Sequence, residues 1–171
     1  RNRLQGGKAI AGLHGMNDAF RLTAAEAAAS VAARRITATD IVASALARIG
    51  AQNPRLNAFT SLLADRARAK AADIDARIAR GDSVGPLAGA TYCVKNLFDV
   101  EGVTTLAGSK INADHPPAAR DGALVRKMEA ADAILLGAVN MGEYAYDFTG
   151  ENVHAGASRN PHDPEHMSGG L

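Results

Sequence analysis

The sequence lacks tryptophan and has only one cysteine, Cys93, among its 171 residues. A single cysteine excludes an internal disulfide framework and a zinc site built from cysteines. It also suits a reducing compartment, so we expect a cytoplasmic protein. Aromatic residues make up only 4% of the chain, whereas hydrophobic residues make up 47%. The core must therefore be built mainly from alanine, leucine, valine and isoleucine.

An excess of charge of either sign is also missing, as is any long apolar run. The 19 Lys and Arg residues balance 18 Asp and Glu residues to a net charge of +1. Direct nucleic-acid binding is not expected, because affinity for phosphates requires concentrated positive charge. No apolar run approaches the roughly 18 residues that span a bilayer, so no membrane association is expected. At about 150 residues per domain, the length predicts one domain.

Residues 1–15 differ in character from the rest of the chain. They contain four glycines and no sustained hydrophobic period, and Met16 then opens a stretch that resembles a natural start. We interpret residues 1–15 as a leader or as a segment introduced by cloning, with a native N-terminal arm as the alternative. The folded part is then expected within residues 16–171.

Capping signals and hydrophobic periodicity predict three helices in the first half of the chain. Capping boxes open the first two helices at Thr23 and Thr37. We expect Gly50 to end the second helix, and Asn53-Pro54 to form a turn before a short extended link. The third helix, over residues 62–80, has one apolar stripe and a charged back. We interpret that charged back as a solvated surface.

The second half of the chain alternates strand and helix signals. The apolar segments 90–94 and 133–139 predict buried strands, with a helix over residues 123–131 between them. A loop rich in glycine and threonine, 102–109, follows the first of these strands. This order predicts an α/β fold in which helices pack around a mixed, mostly parallel β-sheet.

Lys95 is the strongest candidate for chemistry that the residues alone provide. It ends the first predicted strand, at the carboxyl edge where α/β sheets bind their ligands. Burial at that edge lowers the pKa of a lysine, and a neutral amine can act as a general base near pH 7. The alternative is a strand-end lysine that reaches solvent or pairs with Asp99.

The other candidate residues carry weaker signals. His162 and His166 are four residues apart, but neighbouring prolines prevent the helix that would align them, so we expect no metal site. Cys93 is expected to be a packed core thiol rather than a nucleophile. Polar residues after the second strand are weak evidence for acid–base chemistry: Glu143, Tyr144, Asp147 and Glu151.

Two long segments together resemble the amidase signature family. They read GPLAGATYCVKNLFDVEGVTTLAGSK and DGALVRKMEAADAILLGAVNMGEYAYDFTGENVHAGASRNPHD, and their motifs follow one another in the family's order. Within the family, the sequence is most similar to the bacterial branch that holds the aminoacyl-tRNA amidotransferase A subunit and the 1-carboxybiuret hydrolase subunit. The resemblance runs over residues 22–170 and covers the N-terminal third of a family member.

This resemblance implies a Ser–Ser–Lys triad that needs no metal or cofactor. Lys95 matches the triad lysine, which acts as a base through a bridging serine on the nucleophilic serine. Gly169 and Gly170 match the two glycines before the bridging serine, so Leu171 stands where that serine is expected. Ala145 matches a position that lines the acyl side of the substrate.

The resemblance also implies the function and the partners. The implied reaction is hydrolysis of a C–N bond in a small amide or ureide, with release of ammonia. A glutaminase subunit of an aminoacyl-tRNA amidotransferase is the alternative, and a non-catalytic fragment or pseudoenzyme is the alternative of another class. We expect residues 16–171 to be the N-terminal part of a single amidase domain, inactive alone. The expected partners are a small amide substrate, a second copy in a homodimer, and a small accessory subunit.

Overall fold

The computed structural model describes residues 16–169. Residues 1–15 and 170–171 lie outside this range, and with them the predicted leader and the comparison of Leu171 with a serine. The described elements are α1 (Ala24–Ala32), α2 (Ala38–Leu56), β1 (Phe59–Leu62), α3 (Ala64–Arg80), β2 (Thr91–Lys95), α4 (Ala123–Ala130) and β3 (Ile134–Val139). None of these helices is long and apolar enough to cross a membrane.

The strands form one mixed sheet in the order β1–β3–β2. β2 runs parallel to β3, and the chain between them contains α4, as expected for an α/β fold. β1 pairs antiparallel with the other side of β3. The predicted α/β class and the mixed sheet are therefore confirmed, and the apolar run of β3 occupies the sheet centre.

The sheet separates two hydrophobic layers. Ile134 and Leu136 belong to the larger cluster, which is built with buried residues of α1, α2 and α3. Leu135 points to the opposite face, where it packs with Val100 and Val125. The first three helices therefore cover one face of the sheet and leave the carboxyl ends of β2 and β3 to the loops.

Two helix boundaries form as the sequence predicts. At the start of α1, the Glu26 amide donates to the Thr23 hydroxyl at 3.2 Å, and the Thr23 amide donates to the Glu26 carboxylate at 2.9 Å. At the end of α3, Gly81 adopts a left-handed backbone with φ of +84°, which glycine tolerates without a steric penalty.

α2 is longer than predicted, and the expected turn at Asn53-Pro54 lies inside it. Gly50 stays helical, so it does not end the helix. Pro54 sits in the last turn, where its ring removes only one helical hydrogen bond. The helix continues to Leu56 and ends where Asn57 turns left-handed, with φ of +50°.

The side chain of Asn53 connects the end of α2 to β1. Its Oδ1 accepts hydrogen bonds from the backbone amides of Ala58 and Phe59, at 2.9 and 2.8 Å. The predicted extended link is therefore a true strand, fixed to the helix that precedes it.

The charged side of α3 is solvated only in part: Asp65 and Arg68 are exposed as predicted, whereas other charged residues of this helix form ion pairs with the rest of the chain. Arg66 donates two hydrogen bonds to Asp121, at 2.9 and 2.6 Å, and these bonds lower the pKa of the Asp121 carboxyl. The ion pairs of this helix with the segment around α4 are Arg66–Asp121, Arg66–Glu129, Lys70–Asp132 and Arg77–Asp132. These ion pairs hold α3 against α4 and the residues that flank it.

Cys93 is exposed, which corrects the prediction of a packed core thiol. Its strand, β2, lies at an edge of the sheet, and its neighbours Tyr92 and Val94 use the packed face. Partial desolvation raises the pKa of the Cys93 thiol, which disfavours the thiolate that a nucleophile requires.

Candidate functional site

Lys95 lines a cavity of about 170 Å³ at the carboxyl end of β2. The side chain is half-buried. Ala145 lines the same cavity, so the fold brings together the two site residues that the family resemblance singled out. Other lining residues come from the loop after β3 and the last described segment, among them Asn140, Gly142, Asp147, Ser158, Ser168 and Gly169.

The Nζ atom of Lys95 makes no hydrogen bond or ion pair with the residues that the structure describes. The alternative of a pair with Asp99 is not realised, because that carboxylate instead accepts a hydrogen bond from the Thr105 hydroxyl at 2.7 Å. The Lys95 amine therefore borders the cavity with its hydrogen-bonding capacity unused. Such an amine can exchange a proton with a group bound in the cavity.

Buried asparagines that the sequence reasoning did not single out hold the surrounding loops. Asn152 is 7% exposed, and its side-chain amide donates to the carbonyls of Gly108 and Met141 at 2.7 and 2.8 Å. Asn96 accepts from the Gly108 amide at 2.9 Å and donates to the Thr60 hydroxyl at 3.3 Å. These bonds fix the glycine- and threonine-rich loop to the loop after β3.

The side chain of Asn140, directly after β3, also holds two segments of the chain together. Its side-chain amide donates to the carbonyls of Asn57 and Gly156, at 3.2 and 2.9 Å. Asn96 and Asn140 each follow a strand immediately, and that repeated position is the sequence signal that could have revealed them.

Of the four polar residues after β3, only Asp147 lines the Lys95 cavity. Glu143 instead accepts a hydrogen bond from the Ser109 hydroxyl and lies 3.5 Å from His154 Nε2. Ser109 and His154 border a second cavity of about 470 Å³. Tyr144 is largely exposed.

Two serine hydroxyls in the Lys95 cavity also escaped the sequence reasoning. Ser158 donates to the carbonyl of Asn57 at 3.3 Å, and Ser168 contacts the carbonyl of Thr149 at 3.5 Å. Both hydroxyls are thus directed to backbone oxygens rather than to Lys95. Neither serine stood out in the sequence because each lies in a loop without periodicity.

The sequence matches known amidases over most of its length. Residues 40–170 match the family described as Amidase. The chain is 56% identical over 140 residues to AtzE, the 1-carboxybiuret hydrolase subunit of Pseudomonas sp. (strain ADP), covering 82% of this chain and 31% of that protein. It is 43% identical over 150 residues to the glutamyl-tRNA(Gln) amidotransferase A subunit of Anaeromyxobacter dehalogenans (strain 2CP-C), covering 88% of this chain and 30% of that protein.

Solved structures share the fold as well. An inhibitor-bound s-triazine catabolic enzyme, described as a vestigial protein complex, superposes with a TM-score of 0.85 at 53% identity, over 87% of this chain and 33% of that one. A bacterial aryl acylamidase gives a TM-score of 0.81 at 34% identity, over 87% of this chain and 31% of that one. The chain spans about a third of the length of the relatives it matches. The family match and these identities show that the chain belongs to the amidase signature family.

Proposed function

We propose that this chain takes part in hydrolysis of the C–N bond of a small amide or ureide, with Lys95 as the proton acceptor. The observation that carries the proposal is the half-buried Lys95 amine, unpaired among the described residues, in a cavity at the end of β2. This position agrees with the role of general base that the family resemblance implies for Lys95.

Amide cleavage by acyl transfer requires an activated hydroxyl, a proton acceptor and donors for the developing oxyanion. In the proposed reaction, the nucleophilic serine gives its proton through the bridging serine to Lys95 Nζ, and its oxygen attacks the carbonyl carbon. The C–N bond then breaks as the leaving nitrogen takes a proton, and water later hydrolyses the acyl group from the serine. Lys95 supplies only the second requirement.

We propose further that the 171-residue chain alone does not turn over amides. Leu171 stands where the family resemblance expects the bridging serine. Removing one member of a catalytic unit costs nearly as much activity as removing the whole unit.

The relatives named above guide the choice of substrate class. The 56% identity to a 1-carboxybiuret hydrolase subunit supports a ureide of the biuret type. The 43% identity to an amidotransferase A subunit supports glutamine as the second candidate substrate. The vestigial protein complex described for an s-triazine catabolic enzyme supports assembly with a partner protein. We propose that this assembly is a homodimer with a small accessory subunit.

The test is a chimera in which residues 16–169 of this chain replace the matching segment of the 1-carboxybiuret hydrolase subunit. Ammonia release is measured with 1-carboxybiuret and with glutamine, and the free 171-residue chain is assayed beside it. We expect Lys95→Met to lower kcat by about 10²–10⁴-fold, the usual contribution of a general base. Lys127→Met, on the exposed side of α4, is the matched control.

Full activity of the Lys95→Met chimera would contradict the role of Lys95. Turnover by the free chain would contradict the proposed need for further residues. A preference for glutamine would favour the amidotransferase alternative.

A further inference from the structure

Asn96 follows Lys95 directly, is only 4% exposed, and is held from several sides. Its backbone amide donates to the carbonyl of the last β3 residue at 3.1 Å, and its own carbonyl accepts from the Ala107 amide at 3.0 Å. Its side chain accepts from the Gly108 amide at 2.9 Å and donates to the Thr60 hydroxyl at 3.3 Å. The residue therefore joins the end of β2 to β1, to β3 and to the glycine- and threonine-rich loop.

Gly108 connects Asn96 to another part of the wall of the Lys95 cavity. A Cβ atom placed on Gly108 would lie 2.8 Å from the carbonyl oxygen of Gly142 and 2.9 Å from that of Met141. Met141 and Gly142 line the cavity together with Lys95. The loop backbone thus packs directly against the wall, and Asn96 binds both that loop and the strand end that carries Lys95.

The loop that Asn96 binds has a backbone conformation that needs support from its surroundings. Ala107 is left-handed with φ of +48°, which is unfavourable for a residue with a side chain. Residues in this conformation persist only where the surrounding structure holds them, and they cluster at functional sites. The Ala107 amide donates to Asn96, and its carbonyl accepts from the Tyr144 amide at 2.8 Å. The loop is therefore held between the end of β2 and the segment after β3.

We propose that Asn96 is a positioning residue, which fixes the strand end that carries Lys95 relative to the cavity wall at Met141 and Gly142. This inference rests on the proposed function, since it concerns the proton acceptor of that reaction. Asn96 borders the second cavity rather than the Lys95 cavity, so it acts through Lys95 and not on the substrate. A displacement of about 1 Å at a reacting group can cost about 10²-fold in rate.

The experiment introduces Asn96→Ala into the chimera that carries residues 16–169 and measures kcat and KM for 1-carboxybiuret. Both are expressed per folded molecule, with the folded fraction taken from urea unfolding. We expect kcat to fall by about 10- to 100-fold. KM should stay nearly unchanged, because Asn152 still donates to the Met141 carbonyl at 2.8 Å and holds the wall. A role in stability alone would lower the folded fraction and leave kcat per folded molecule unchanged.

A spectroscopic measurement on the 171-residue chain reports on Lys95 without turnover. NMR relaxation of the lysine Cε methylene groups measures side-chain motion, and the spectrum of Lys95→Met identifies the Lys95 signal. In the wild type, we expect slower motion at the half-buried Lys95 than at the exposed Lys127. In Asn96→Ala, the two signals should relax at similar rates, because the strand end is no longer fixed.

Two further variants make the result decisive. Asn112→Ala is the matched control, because the Asn112 side-chain amide donates to the Leu106 carbonyl of the same loop at 2.9 Å, and it should leave kcat unchanged. Thr60→Val is the second route, because it removes the hydroxyl that accepts from Asn96 and keeps the size of the side chain. It should lower kcat by about three- to tenfold, the effect of one neutral hydrogen bond, and it replaces Asn96→Ala if that variant unfolds.

An unchanged kcat in Asn96→Ala, or in Thr60→Val where it takes its place, would overturn the inference. An equal loss of kcat in Asn112→Ala would overturn it as well, and so would a wild-type Lys95 signal as mobile as that of Lys127. The proposed function fails separately, if the Lys95→Met chimera keeps its turnover. Loss of turnover in that chimera together with an unchanged kcat in Asn96→Ala would overturn the positioning role alone.

Discussion

The guanidinium of Arg77 and the carboxylate of Asp132 form an ion pair that joins α3 to the connection between α4 and β3. Lys70 Nζ contacts the same carboxylate oxygen at 2.9 Å, and the Gly85 amide donates to the other oxygen at 2.6 Å. The Asp132 side chain is only 6% exposed. These donors replace the water that the carboxylate loses on burial.

We expect this site to make stability depend on acid pH. Burial alone would raise the pKa of Asp132, but the hydrogen bonds from Arg77, the Gly85 amide and Lys70 outweigh it and lower the pKa to about 2. Since this pKa lies below the unfolded value of 3.8, the stabilisation is complete above about pH 4 and is lost as the pH falls to about 2. The loss amounts to roughly 2 kcal/mol, and urea unfolding between pH 2 and 6 measures it.

Asp132→Asn tests the source of that pH dependence. Asparagine tolerates the left-handed backbone of this residue, whose φ is +64°. The variant should be less stable at pH 7 and should lose this part of the pH slope. Asp73→Asn is the control, because Asp73 pairs with Arg77 but is 57% exposed, so its pair contributes little. An unchanged slope in Asp132→Asn would assign the acid sensitivity to other carboxyls.

Ile74→Asp should destabilise the fold by about 3–5 kcal/mol, because it buries an unpaired charge. Ile74 is completely buried between α3 and the rest of the larger core. Ala76→Asp, on the exposed side of the same helix, should change the free energy of unfolding by less than about 0.5 kcal/mol. Thermal unfolding compares the two variants, and similar midpoints would contradict the assigned packing of α3.

Gly137→Ala should destabilise the sheet by about 2–3 kcal/mol, because the added methyl group would push β1 away from β3. A Cβ at residue 137 would lie 2.2 Å from the carbonyl oxygen of Ser61. Gly50→Ala is the matched control, since nothing lies within 4 Å of a Cβ at that helical residue. It should stabilise the chain by about 0.5–1 kcal/mol, the cost of glycine in a helix. Chemical denaturation measures both, and a stable Gly137→Ala would contradict the close approach of β1.

Asn152→Asp should loosen the loops around the Lys95 cavity. The change keeps the Oδ1 acceptor but removes the amide that donates to Gly108 and Met141, and it buries a charge. We expect a loss of about 3 kcal/mol. Asn160→Asp, in an exposed loop, is the control. Increased proteolysis within residues 104–109 of the Asn152→Asp variant reports the loosened loop, and protease resistance equal to the wild type would contradict this role.

Local signals predicted the elements whose ends are set by neighbouring residues. The Thr23 capping box and the left-handed Gly81 depend on contacts within one turn of helix, so the sequence alone reveals them. Gly50 misled the prediction because a glycine can also lie inside a helix, where it costs about 0.5–1 kcal/mol relative to alanine. The chain leaves the helix near the Asn53 side chain, which accepts hydrogen bonds from the backbone amides of Ala58 and Phe59 at the start of β1.

Contacts between distant residues were not predictable in the same way. The ion pairs on the charged side of α3 were not predicted, because the partners Asp121 and Asp132 lie about 55 positions away in the sequence. The candidate site shows the same difference between local signals and contacts of distant residues. Lys95 was found from its position at a strand end, whereas the side-chain amide of Asn152 donates to the carbonyls of Gly108 and Met141, which lie 44 and 11 positions away in the sequence.

The order β1–β3–β2 has a consequence for synthesis on the ribosome. Translation produces the two outer strands first, and the strand that must lie between them is made last. β1 and β2 both form their hydrogen bonds with β3, so neither can pair until Ile134–Val139 has left the ribosomal exit tunnel. The helices made early can therefore pack against one another during translation, whereas the sheet forms only after its central strand has been made. Until then the growing chain carries two unpaired strands.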